Sequence, residues 1–258
     1  KKGKVKVKIN DKIYSYRRSG IYWKSFSWIF SKKKRKVIIL DNLSTGRLEN
    51  IKNFKDKVKF VNCDISKKGK WIEELKGKCI VFHLAALADI VPSIQNPEKY
   101  FNSNVKGTLN LLQACKNSHV LKFIYTASSS CYGLSKKYPT KESEIIKPMY
   151  PYALTKKMGE DLIVHWSNVY NIPFISLRLF NVYGTRSRTS GTYGAMFGVF
   201  LAQKTSNKPF TIVGSGRQTR DFTYVSDVVE AIIASSKSKI KNEILNVGSG
   251  TTVSIQKI

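Results

Sequence analysis

From residue 37 onward, short apolar runs alternate with longer segments whose apolar residues recur every three or four positions. Val37–Leu40 (VIIL), Val58–Asn62 (VKFVN), Cys79–Leu84 (CIVFHL) and Leu121–Thr126 (LKFIYT) have the length and continuous apolarity of buried parallel strands. Between the last two, Pro97–Ser118 places Val105, Leu109, Leu112 and Cys115 at helical spacing. A second amphipathic helix is predicted from Tyr152 to Tyr170, ended by Pro173, and Phe174–Leu179 is a further strand. Such alternation predicts an α/β fold over residues 37–180, a doubly wound parallel sheet with helices on both faces.

After Asn181 the pattern changes. Gly184–Gly194 (GTRSRTSGTYG) is a Gly/Ser/Thr loop, and a helix is predicted at Ala195–Gln203. Then come the apolar run Phe210–Val213, a turn at Gly214–Gly216, a strand through Phe222–Val225, a helix from Asp227 and a strand at Ile244–Val247. Residues 181–258 are expected to form a smaller, incomplete α/β substrate domain interleaved with the end of the sheet. The chain stops at Ile258 in what reads as the first turn of a helix, so a truncated C-terminus is expected.

Charge adds one qualification. The chain of 258 residues carries a net charge of +28, which raises nucleic acid as a partner. Residues 1–36, however, hold 14 Lys/Arg against the single acid Asp11, and the remainder is diffusely Lys-rich. No RNA-binding aromatic signature or zinc-knuckle spacing accompanies it, and no nucleic-acid partner is expected. Cys63, Cys79, Cys115 and Cys131 make no CxxC pair and read as small buried thiols in a reducing compartment, with no metal. No apolar run is long enough to span a membrane. Ile21–Phe30 is broken by Lys24 and two serines and lacks a cleavage site, so the chain reads as cytoplasmic.

Candidate chemistry lies on the second half of the sheet. Tyr152 and Lys156 form a YxxxK pair, and i,i+4 spacing puts both on one helix face. A phenol acts as a base near neutral pH only where cations stabilise its phenolate, and Lys156 can supply one. Alone, the pair is as readily an ordinary exposed one. Thr126–Gly133 (TASSSCYG) follows a parallel strand, where ligands of open α/β sheets bind, although a serine-rich loop can also satisfy only its own backbone. Asp41, after its strand, can accept hydrogen bonds from a ribose 2′-hydroxyl and repel a 2′-phosphate, which favours NAD.

Further motifs follow in order: DNLSTG (41–46), CDI (63–65), HLAALA (83–88), NVKGTLNLL (104–112), PYALTK (151–156), LRLFNVYG (177–184), RQTRDFTYVSDVV (217–229) and NVGSG (246–250). With TASSSCYG, this ordered set resembles the extended short-chain dehydrogenases, in particular the NAD-dependent epimerases and dehydratases of nucleotide sugars, across residues 37–258. The resemblance implies a Rossmann-type NAD-binding domain and an activity as nucleotide-sugar 4-epimerase. It makes Ser128 the catalytic hydroxyl, Tyr152 the general base and Lys156 its partner. Asp41 and Asn42 would bind the adenosine ribose, Asp64 and Ile65 would flank adenine, and Leu84, Ala85, Ala86 and Asn104 would line the cofactor. Ser128, Ser129, Asn181 and Arg220 would face the nucleotide sugar, an arginine fork suiting its diphosphate. Arg220 can equally be a surface ion pair with Asp221 or Asp227. A homodimer is expected. Dehydratases of this kind carry Asp-Glu after the catalytic hydroxyl, whereas Ser129 and Ser130 stand here, so epimerisation is favoured. Alternatives are a 4,6-dehydratase, a sugar-acid decarboxylase and a catalytically impaired NAD-binding relic.

The amino terminus departs from this family. A glycine-rich turn should precede DNLSTG, letting backbone and a helix N-terminus meet the pyrophosphate. Instead Tyr14–Phe30 (YSYRRSGIYWKSFSWIF) holds one glycine, Gly20. Residues 1–36 are therefore expected to be an aberrant segment, with the regular sheet starting at Val37. Should Tyr14–Ser19 take the first-strand position, Arg17 and Arg18 would intrude on the pyrophosphate site. Read as codons one nucleotide out of register, the segment changes character. Trp23-Lys24 is encoded by TGG-AA(A/G), whose shifted triplet GGA is glycine. With AGG for Arg17 and Arg18, AGC for Ser19 and GGG for Gly20, residues 10–28 read MIKYIVTGGAGFIGSHLA. That is a first strand and a glycine turn, with the register restored within Ser31–Arg35 (SKKKR).

Overall fold

The computed structural model describes residues 12–17, 37–44, 46, 48–50, 52–135, 137–185, 187 and 196–258. Seven strands make one parallel sheet: β1 (Lys12–Arg17), β2 (Val37–Asp41), β3 (Val58–Asn62), β4 (Lys78–Leu84), β5 (His119–Ser128), β6 (Phe174–Leu179) and, far along the chain, β10 (Glu243–Val247). Their order is β3-β2-β1-β4-β5-β6-β10, the doubly wound arrangement. Chain direction across the sheet reverses between β1 and β4, and a crevice opens beyond the carboxyl ends of those strands.

Alternation along each strand builds two cores. Ile39, Phe82, Ile124 and Leu177 point to one face, covered by a helix at Val225–Lys237 through Val228, Val229 and Ile232. Ile38, Leu40, Val81 and Phe123 point to the other, covered by helices at Gly107–Lys116 and Pro151–Tyr170 through Leu111, Leu112 and Ile163. Because both faces are covered, the strands read as continuous apolar runs, which is why they were legible.

In chain order the helices are α1 (Ile90–Gln95), α2 (Pro97–Tyr100), α3 (Gly107–Lys116), α4 (Pro151–Tyr170), α5 (Met196–Thr205) and α6 (Val225–Lys237). The helix expected over 97–118 is thus split: a π-helical stretch, Phe101–Lys106, joins α2 to α3. Outside the main sheet, β7 (Asn181–Tyr183) pairs in parallel with β9 (Phe222–Tyr224), and β8 (Thr219–Arg220) pairs antiparallel with β11 (Val253–Ser254). Phe210–Val213 forms no strand, and the last residues are a 3-10 turn, Ile255–Lys257.

One expectation needs correction. The regular sheet does not begin at Val37, because Lys12–Arg17 is one of its interior strands, paired with β2 from Ile13 to Tyr16 and with β4 along its whole length. Strands β2 and β4 each present a row of main-chain donors and acceptors to the gap between them. Any extended segment with β-forming residues, here Ile13, Tyr14 and Tyr16, satisfies both rows through its backbone. The Arg17 side chain and all of Arg18 lie outside the described residues, and with them the expectation that the two arginines intrude on a pyrophosphate site. Among the described residues no helix is long and apolar enough to cross a membrane.

Candidate active site

The catalytic candidates converge where α4 lies across the end of β5. Helix α4 begins with Pro151, whose fixed φ suits the first turn and whose missing N–H costs nothing there. It ends at Asn171, which adopts the left-handed cap conformation at φ 54°. Its inward stripe is Ala153, Lys156, Gly159, Glu160, Ile163 and Ser167, so the helix turns two ionisable side chains toward the sheet. Lys156 is 3% exposed, and burial pulls its ammonium down to about 7, with the Glu160 carboxylate acting to raise it. Its Nζ sits 4.1 Å from the ring centroid of Tyr125 on β5. Tyr152, one turn earlier, packs edge-on against Tyr100 of α2 at 6.5 Å.

Glu160 continues the i,i+4 line from Tyr152 through Lys156. At 1% exposure it is tolerable only because it is paired. Arg178 of β6 donates Nη2 to Oε1 at 2.7 Å and Nε to Oε2 at 3.2 Å, and Ser176 adds a hydrogen bond to Oε2 at 2.8 Å. The remaining fork atom, Arg178 Nη1, donates to Tyr132 Oη at 2.8 Å and to the carbonyl of Glu142. Tyr132 in turn donates to Asn246 of β10 at 2.7 Å. One buried ion pair therefore ties α4, β6, β10 and the loop from Ser128 to Tyr152 together.

Ser128 ends β5 and caps the 3-10 turn Ser129–Tyr132, accepting from Ser130 N–H at 3.3 Å. Its Oγ lies 2.7 Å from Ser130 Oγ, so the serine cluster partly satisfies itself. Gly133 closes the turn at φ 66°, and a Cβ there would meet the Lys147 carbonyl at 2.3 Å.

The opposite end of the site surrounds Asp41. This carboxylate ends β2 at 3% exposure and accepts from Leu43 N–H at 2.8 Å, so the following loop curls around it. Asp64, after β3, accepts from the Ser66 N–H and hydroxyl at 2.9 and 2.8 Å. A cleft of about 630 Å³ opens here, lined among others by Asn42, Ser44, Asp64, Ser66, Leu87 and Asn102. Carboxylates and short hydroxyls around an open cleft at the switch of the sheet fit the adenosine end of a dinucleotide. Of the other cofactor candidates, Ile65 is buried against Gly107, Leu84 ends β4 in the core, Ala85 packs against the second core and Ala86 is buried. Asn104 is different: its carboxamide accepts from Leu87 N–H at 2.6 Å and donates to Leu87 O and Thr155 Oγ1 at 2.9 and 3.0 Å. It clamps the loop after β4 to α4.

Beyond β6, Asn181 and Arg220 are exposed. Asn181 donates to the Asp221 carbonyl at 2.8 Å, and Arg220 donates to the Thr219 carbonyl at 3.1 Å. The carboxylate of Asp221 instead gathers Ser249 N–H, Ser249 Oγ and Gly250 N–H at 2.8 to 3.0 Å. It is thus the anchor of the NVGSG loop. Among the described residues no cluster of three or more His, Cys, Asp or Glu could hold a metal ion, and the four cysteines are free thiols.

Residues 29–248 match the model of a family described as NAD dependent epimerase/dehydratase. The chain belongs to that family. It is 33% identical over 227 residues to the UDP-glucose 4-epimerase of Mycolicibacterium smegmatis, covering 86% of this chain and 72% of that one. Its fold matches the UDP-N-acetylglucosamine 4-epimerase of Methanobrevibacter ruminantium, solved with UDP-N-acetylmuramic acid, at a TM-score of 0.87 and 33% identity. That match covers 95% of this chain and 79% of the other. It also matches the UDP-glucuronic acid 4-epimerase of Bacillus cereus, solved with UDP-glucuronic acid and NAD, at a TM-score of 0.82 and 29% identity, over 95% and 80% of the two chains. Within the epimerase/dehydratase family frame, sequence reading missed Tyr125, Glu160, Arg178 and Asp221. Glu160 and Arg178 did carry a signal, since both interrupt segments otherwise facing a core.

Proposed function

We propose that the chain is an NAD-dependent nucleotide-sugar 4-epimerase, with Ser128, Tyr152 and Lys156 as its catalytic residues. The observation that carries this reading is the burial of Lys156 on the same helix face as Tyr152, at the carboxyl end of the strand bearing Ser128. Asp41 and Asn42 hold the adenosine ribose, Asp64 and Ile65 flank adenine, and Leu84, Ala85 and Ala86 line the passage toward the nicotinamide. Asn104 acts through the Leu87 backbone. When bound, NAD supplies the acceptor and donor of hydride for the sugar C4. Tyr152 takes the proton of the 4-hydroxyl and returns it, Lys156 stabilises the phenolate, and Ser128 hydrogen-bonds the same oxygen. Ser129, Asn181 and Arg220 face the nucleotide sugar. Elimination of water has no acid–base pair beside Ser128, where Ser129 and Ser130 stand. A homodimer is part of this reading, motivated by Phe101 and Leu154, which stay 45% and 49% exposed on neighbouring helical segments.

The test is incubation with a panel of UDP-, dTDP- and GDP-sugars, followed by NMR. It is run on this chain and on a version with residues 10–28 replaced by MIKYIVTGGAGFIGSHLA. The expected product is an isomer of the substrate without accumulation of NADH; a 4-keto-6-deoxy sugar would show dehydration instead. The replaced version is expected to bind NAD tighter by roughly tenfold or more, the worth of one hydrogen bond to a charged group. Equal, tight binding by both would overturn the out-of-register reading.

A further inference from the structure

Lys156 is useful to a neighbouring phenolate only while it is charged, yet its surroundings disfavour charge. Among the described residues, these groups bear on it. On its own helix stand the Tyr152 phenol and the Glu160 carboxylate, and the latter is already engaged by Arg178 of β6 and by Ser176. From β4 comes His83, whose Nε2 lies 2.7 Å from Thr108 Oγ1. That hydroxyl gives its proton to the Asn104 carbonyl at 2.6 Å, so Nε2 carries the His83 proton and the ring is a donor toward Thr108. Burial holds His83 well below its ordinary range, with the charge of Lys156 adding to the effect, so it brings no negative charge.

Tyr125 touches Lys156 at both ends. Its ring face lies under the ammonium, 4.1 Å from Nζ, and its hydroxyl donates to the Lys156 main-chain carbonyl at 3.2 Å. The residue is 1% exposed. Helix α4 makes room for it with Gly159, where an added Cβ would stand 2.6 Å from the Tyr125 hydroxyl oxygen. A ring face is an electrostatic partner for a cation, and desolvation strengthens it.

We propose that Tyr125 is a positioning residue for Lys156, its ring carrying the ammonium and its hydroxyl fixing the helix turn from which that side chain springs. The inference rests on the assignment of Lys156 as the partner of Tyr152. The Glu160 carboxylate that also favours charge on Lys156 is shared with Arg178, and the Tyr125 ring face adds to that support.

The test reads Lys156 directly in the substrate-free chain, by NMR titration of the lysine Nζ and Cε signals, with the Lys156 signal identified by its loss in Lys156→Met. Tyr125→Phe keeps the ring and is expected to leave the midpoint in place. Tyr125→Leu removes it and is expected to lower the midpoint by roughly 0.4–1.5 pH units. Should the leucine variant not fold, phenylalanine analogues with increasing ring fluorination at position 125 keep the shape and weaken the face, and the midpoint should fall stepwise with fluorine number. A midpoint indifferent to fluorination, or to Tyr125→Leu in a folded chain, overturns the proposal, since a merely packed ring would give that result. Because no substrate or nucleotide is present, a shifting midpoint in a chain without epimerase activity would sink the functional reading alone. Epimerase activity with an indifferent midpoint would sink only this inference.

Discussion

On the sheet-facing side of α4 three charged groups are inside the protein: Lys156, Glu160 and Arg178 are 3%, 1% and 4% exposed. Around β7, β8 and β9 the polar groups lie nearer the surface: Asn181, Arg220 and Ser249 are exposed, and the half-buried Asp221 holds the NVGSG loop by three hydrogen bonds. The two ends of the site are thus positioned by different physics. Around α4, low dielectric makes every contact strong and every unpaired charge costly, so orientation is rigid. At the end proposed to meet the substrate, contacts compete with water and each contributes little, so that region can be recut without unfolding the sheet. The residues proposed for proton transfer thus sit where geometry is most expensive to change.

Four changes test this contrast. The largest effect belongs to Tyr152→Phe, expected to reduce kcat roughly 10²–10⁴-fold while leaving NAD binding and thermal stability near those of the parent. Full activity in steady-state kinetics would remove Tyr152 from its role. Arg178→Met comes next: Glu160 would be left buried and unpaired, at about 3–5 kcal/mol by urea unfolding at neutral pH. Adding Glu160→Gln should recover much of that loss, and no recovery would mean that the pair is not the source of the rigidity.

Lys156→Met should move stability the other way. Burial brings the folded-state value of Lys156 to about 7 from 10.5, so between those pH values the unfolded chain binds a proton that the folded chain does not. Stability therefore rises with pH across that window, and the penalty is full below about pH 7. The methionine variant is expected to be more stable than the parent at pH 6, by on the order of 2–4 kcal/mol, with the gap closing toward pH 10.5. A parallel pair of stability curves would show that Lys156 keeps its proton. The smallest effect is expected from Asp221→Asn, about 1 kcal/mol in stability and a raised KM for the nucleotide sugar at unchanged NAD affinity. A loss as large as that of Arg178→Met would erase the contrast between the two ends.

The strands were legible because continuous apolar runs have few other uses in a chain this polar, and β3 and β6 fall on the expected residues. So was α4, whose 3.6-residue stripe and flanking prolines bound it on both sides. The π-helical stretch at Phe101–Lys106 was not, since its apolar spacing is indistinguishable from that of a plain helix. Nor was β1: its residues alternate weakly, and it is chosen by the vacancy between β2 and β4. That strand coincides with the codons which, in the other register, read IKYIVT.

By itself the sequence determined the doubly wound sheet, the order of motifs and the family, because periodicity and motif spacing are properties of neighbours along the chain. It also placed Tyr152 and Lys156 on one helix face, since one helical turn is a local fact. Only the tertiary structure decided what surrounds them. Tyr125 reaches Lys156 across 31 residues of chain, Arg178 reaches Glu160 across 18 and Asn104 reaches Thr155 across 51. Those pairings follow from how α4 settles on the sheet, and burial then sets their charge.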